Sequence, residues 1–148
     1  MANRSKRLSV IAALADRREQ AAAGRLRRGR NEIEGHRTTL SQLLRYRQDY
    51  QAHLEASGGR AVQSHKIKNL QLFIDNLDVA IQLVQDRVRT AAGECDQQLR
   101  NWMSTRSRAR AVHTVIDRDR VETARRESRH EQLEADDRSA RTARNPRE

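Results

Sequence analysis

A seven-residue apolar repeat runs twice along this chain, and it limits the possible folds more than any other feature. In the first stretch, position a holds Ala12, Glu19, Leu26, Ile33, Leu40, Arg47 and Leu54, and position d holds Leu8, Ala15, Ala22, Gly29, His36, Leu43 and Tyr50. In the second, a holds Ile67, Ile74, Ile81, Val88, Cys95, Trp102, Ala109 and Ile116, and d holds Leu70, Leu77, Val84, Ala91, Gln98, Thr105 and Val112. Such spacing keeps one narrow stripe of a helix facing a partner helix. Ser57-Gly58-Gly59-Arg60 separates the stretches, and the only proline is Pro146, so helix is open to all that precedes it. The expected fold is all-α, an antiparallel two-helix coiled-coil hairpin forming a single domain over 1–148. Helix 1 is expected over about 4–56, a turn over 57–63, and a longer helix 2 over about 64–142 with a frayed C-terminal end. Gly58 is a candidate left-handed cap for the first helix, and Ser64 a candidate N-cap for the second.

Composition agrees with thin packing. The 148 residues are 36% hydrophobic, 34% charged and 3% aromatic, too little apolar material for a thick core but enough for a seam. Disordered chains share these numbers, and the repeat decides against them. No apolar run approaches the ~18 residues of a membrane span. Arg4, Lys6 and Arg7 before Leu8 to Ala15 superficially mimic a secretion signal, but the stretch contains Ser9, runs into Asp16-Arg17-Arg18 and fits the helical repeat. A single cysteine, Cys95, makes no internal disulfide, and a reduced cytoplasmic setting is the simpler reading. The net charge is +10, and only Lys6, Lys66 and Lys68 among the basic residues are lysine. Such a balance suits either an acidic partner or solvated helix faces, and the interspersed Asp and Glu favour the faces.

Reversal at Gly58-Gly59 would put residues whose numbers add to about 117 in one layer. Leu40 would meet Leu77, Leu43 would meet Ile74, Ile33 would meet Val84 and His36 would meet Ile81. Further out, Ala15 would face Trp102, and Glu19 would face Gln98 as a polar layer. Helix 1 then runs out near 112–116, leaving roughly twenty-five residues of helix 2 alone, about 35–40 Å of helix. That overhang carries the pairs Glu122–Arg126, Glu134–Arg138 and Asp137–Arg141 at i,i+4 spacing, each favouring helix by a few tenths of a kcal/mol.

Catalytic patterns are missing from this sequence. Gly58-Gly59 lacks the Lys-Ser/Thr of a phosphate loop. Glu127 and His130 have the spacing of a carboxylate–histidine ligand pair, but a di-metal bundle needs two such pairs. The expectation is a non-enzymatic chain with no cofactor and no metal. The aromatic residues say more. Trp102 falls at a and Tyr50 at d, whereas Tyr46 and Phe73 fall at g, beside the seam. In an antiparallel pair both g positions lie along one edge, and the reversal at Gly58-Gly59 would bring Tyr46 alongside Phe73. Thr39 and Ala80 continue that strip, and Leu43, Tyr50, Leu77 and Val84 border it from d. Large side chains could simply widen the core there. A two-helix coil has no third element to cover such an edge, so a protein-contact patch is the reading taken.

The run Leu40-x-x-Leu43-x-x-Tyr46-Arg47-x-x-Tyr50, the glycine break, and Asn69-x-x-x-Phe73-x-x-x-Leu77-x-x-Ala80-Ile81 together resemble the FliJ family of flagellar type III export proteins. Trp102 within helix 2, and Asp136-Asp137 followed by Ala140-Arg141, agree. The resemblance implies a stalk-like coil similar to the central stalk of rotary ATPases. It implies partners: the flagellar export ATPase ring at the end bearing both termini, the cytoplasmic domain of the export-gate membrane protein at the side patch, and export chaperones. It also implies a cytoplasmic protein peripherally associated with the inner membrane at the flagellar base. The gate patch carries over onto Thr39, Leu43, Tyr46, Tyr50, Phe73, Leu77, Ala80 and Val84, with Thr39 standing where Gln is common and Val84 where His occurs. Glu122, Arg126, Glu134, Asp137 and Arg141 are the expected ATPase-ring contacts. Two alternatives are the equivalent stalk of a virulence injectisome and a basic nucleic-acid-binding coil. The second is disfavoured because Glu32 and Glu34 follow directly on Arg25, Arg27, Arg28 and Arg30.

Overall fold

A computed structural model describes residues 2–58 and 64–145. It consists of two helices, α1 over Ala2–Ser57 and α2 over Ser64–Arg144, packed against each other. Both ends of α1 and the far end of α2 extend slightly beyond the 4–56 and 64–142 expected from sequence. Ala, Leu, Arg, Gln and Glu dominate both helices, which lowers the cost of such length. Near the end of α1 the Ser57 hydroxyl donates to the His53 carbonyl at 2.8 Å, and the Gly58 N–H still donates to the Leu54 carbonyl at 3.1 Å. Gly58 has no positive φ, so the left-handed cap expected there is not formed at that residue. Gly59, the other half of the glycine pair, lies outside the described residues. Ser64, the candidate N-cap, is the first described residue of α2, and the residues just before it lie outside the described ones. Arg141 and Arg144 in the last turn complement the negative end of the α2 dipole.

The seam is the one the repeat specifies. Among the described residues every buried one is an a or d position: Ala12, Ala22, Leu26, Ile74, Leu77, Ile81, Val84, Ala91, Cys95 and Ala109 among the hydrophobic ones, with Gly29. The register is not the expected one. Gly29 lies against Cys95, Tyr50 against Phe73 and Arg47 against Asp78, pairs whose numbers add to 123–125 rather than 117. The layers Leu40–Leu77, Leu43–Ile74, Ile33–Val84 and His36–Ile81 are therefore displaced by one heptad. Gln98, expected opposite Glu19, lies against Gly29. The reason is a degeneracy. The a-to-d match repeats after every seven residues, so the repeat alone does not choose among the solutions.

Contacts divide the chain into two compact units, Met1–Gln20 with Ser104–Glu148, and Ala21–Met103. In the first, Arg4 pairs with Asp119 at 3.5 Å, and Asp16 with His113 at 2.9 Å. Thr123 is the last half-buried residue of α2, and 124–145 are all exposed. The overhang thus starts about seven residues later than expected from sequence and is correspondingly shorter.

Candidate protein-docking site

The edge formed by g and d positions near the hairpin end belongs to the unit Ala21–Met103. Its aromatic residues divide by position. Tyr50, at d on α1, meets Phe73, at g on α2, with ring centroids 4.6 Å apart and planes tilted by 59°. Tilted pairs at this distance suit the ring quadrupoles. The seven-residue displacement puts the g residue His53, not Tyr46, opposite Phe73, and Tyr50 is the neighbouring d residue whose ring meets it. Tyr46 remains on the same edge and is 52% exposed, and Phe73 is 44% exposed despite its ring partner. Thr39 is exposed and turns its hydroxyl back onto the Gly35 carbonyl at 3.1 Å. Leu43 and Ala80 are half-buried, while Leu77 and Val84 are buried in the seam. Of the eight residues expected to form the patch, Leu77 and Val84 therefore support it from beneath, and the aromatic residues face outward.

Two additions were not evident from sequence. An open groove of about 520 Å³ continues the edge toward the connection, lined by Tyr50, His53, Ile67, Leu70 and Phe73 with Lys66 and Asn69 among its polar walls. His53 is a g residue, and only the true register brings it opposite Phe73. The second addition is an outward apolar stripe on α2, Leu72, Val79 and Leu83, all more than half exposed. Leu83 falls at c, which adjoins the g edge beside Ala80, whereas Leu72 and Val79 fall at f and face further outward on the same helix. Their signal was present as three apolar residues where a solvated face should be polar. On the opposite edge Arg47 donates to Asp78 at 2.5 Å, and this bond, then the charge of the carboxylate, raises the guanidinium pKa further.

The exposed arm of α2 carries its own pattern. Arg126 pairs with Glu122. Glu134 accepts from His130 at 3.2 Å on one side and pairs with Arg138 at 3.6 Å on the other. His130 thus turns to Glu134, not to Glu127. Asp137 and Arg141 are exposed and form no ion pair with each other among the described residues. No group of three or more His, Cys, Asp and Glu with metal-site geometry occurs among the described residues. No described helix is long and apolar enough to cross a membrane.

A family model described as "Flagellar FliJ protein" matches residues 4–148, nearly the whole chain. The chain belongs to the FliJ family. Curated relatives include the flagellar FliJ protein of Salmonella typhi, 27% identical over 139 residues, and that of Escherichia coli K12, 26% identical over the same length. Each alignment covers 92% of this chain and 92% of the relative. FliJ membership makes this a flagellar protein, and the two packed helices are the hairpin that the resemblance implied.

Proposed function

We propose that this FliJ chain acts as a non-enzymatic stalk or adaptor of the flagellar type III export apparatus, working in the cytoplasm at the inner-membrane base of the flagellum. Its side edge docks on the cytoplasmic domain of the export gate, and its arm engages the export ATPase ring. The supporting observation is the exposed Tyr46, Tyr50 and Phe73 beside a seam that is already closed beneath them. Aromatic side chains left outside a complete core are the usual anchors of protein interfaces. Leu72, Val79 and Leu83 widen the contact onto the outer face of α2. Escort of export chaperones belongs to the same reading, with the groove beside His53 as the place for a chaperone segment.

The test is the pair Tyr46→Ala and Phe73→Ala. Neither side chain fills the seam, so helicity should stay near that of the parent while gate capture and swimming motility are lost. Normal motility at normal protein level would refute the gate assignment. The arm is tested separately by ending the chain after Thr123. That truncation keeps every buried position and should weaken ATPase-ring association, and unchanged association would remove the arm from the reading.

A further inference from the structure

Two heptad helices can pair in any register displaced by seven residues, because a still meets d after each step. Within the unit Ala21–Met103 one contact distinguishes the observed register from its neighbours. Gln98 reaches across Gly29. A Cβ on Gly29 would stand 2.1 Å from Gln98 Oε1 and 3.3 Å from its Cδ, so the amide fills the space of the absent side chain. Gly29 is the one d residue of α1 without a Cβ, the others being Leu8, Ala15, Ala22, His36, Leu43 and Tyr50. Gln98 is the one long polar side chain among the a and d residues assigned to α2. The notch occurs once on one helix, and the side chain that fills it occurs once on the other.

We propose that Gln98 seated over Gly29 is the register lock of the hairpin. A slip of one heptad in one direction lays Gln98 over Ala22, whose methyl group takes the place the amide needs. A slip in the other direction lays it over His36, which is larger still. The first slip also leaves the notch at Gly29 beneath Val88 and Ala91, neither long enough to fill it. Buried Gln98 Oε1 has no hydrogen-bond partner among the described residues, so fit against Gly29 is what holds the oxygen there. A polar seam residue that fixes register at some cost in stability is a known device of coiled coils. The lock decides which tyrosine meets Phe73. In this register it is Tyr50, and after the first slip it would be Tyr46.

The lone Cys95 is a built-in reporter of register. Its Cβ lies 3.8 Å from the position of a Gly29 Cβ, whereas residue 22 is one heptad away, about 10 Å along the helix. In the full chain Ala22→Cys should therefore remain unlinked to Cys95 under mild oxidation. Adding Gly29→Ala, or adding Gln98→Leu, should raise the intramolecular disulfide fraction roughly tenfold, because both cysteines then share a layer in the slipped register. Non-reducing electrophoresis and intact mass read the link, and circular dichroism checks the fold. Gly29→Ala raises helix propensity, and Gln98→Leu extends the apolar seam, so one supports the test if the other loses helicity. Closure in the Ala22→Cys chain without a second change would overturn the lock. So would helical chains that stay open with each second change in turn.

Discussion

The two units of the hairpin are held by different physics. The unit Ala21–Met103 buries Leu26, Ile74, Leu77, Ile81 and Val84, side chains large enough to interdigitate. Among the described residues of the unit formed by Met1–Gln20 and Ser104–Glu148, the buried hydrophobic ones are the small Ala12 and Ala109. There the seam is made by small or half-buried residues, Leu8, Ala15, Val112 and Ile116, with Arg4 paired to Asp119 and His113 hydrogen-bonded to Asp16 across the helices. Exposed pairs contribute at most about 1 kcal/mol each, whereas one fully buried Ile or Leu contributes about 1.5–3 kcal/mol. The contrast teaches that a uniform heptad pattern does not mean uniform stability. The unit with the aromatic edge is the firm one, and the unit with the arm opens more easily.

The sharpest way to break that contrast is Ile74→Ala. Ile74 is 1% exposed, and its truncation should cost about 2–5 kcal/mol, read as a lower urea midpoint. The corresponding change in the other unit, Ala109→Gly, should cost only about 1 kcal/mol, mostly through backbone freedom. If the two costs proved equal, the unequal seams would not control stability. Asp119→Asn should cost less again, under about 1 kcal/mol, and its effect should vanish in about 1 M salt, where exposed charges are screened. The smallest effect expected is from salt alone. Amide hydrogen exchange over 104–123 should quicken as salt rises, while that over 74–95 should hardly change. Equal responses would show that the ion pairs do not join the helices of the first unit.

The sequence revealed composition by position and left axial displacement open. Every buried residue could be named from the repeat, because a period of seven fixes which face of a helix is covered. The partner opposite each residue could not be named in the same way, because seven is also the period of the ambiguity. The expectation that Tyr46 would meet Phe73 failed for that reason alone, and Tyr50 stands one layer away. Gly29 was only one more d residue in the repeat, and its contact with Gln98 could not be read from spacing. Leu72, Val79 and Leu83 escaped notice because a heptad reading attends to the covered face and treats the remainder as solvated. Along the arm, spacing alone sufficed for Glu122–Arg126 and Glu134–Arg138, since both partners sit on one helix and need no register.

Beyond Thr123 no opposing helix steadies α2, and its backbone is supported by short-range charge pairs along one strand of chain. Such a segment does not melt at a single threshold. With only i,i+4 pairs to support it, its helicity is expected to fall gradually along its length as salt rises. Residues 124–145 are exposed on every side, so this arm offers a charged cylinder and not a single face.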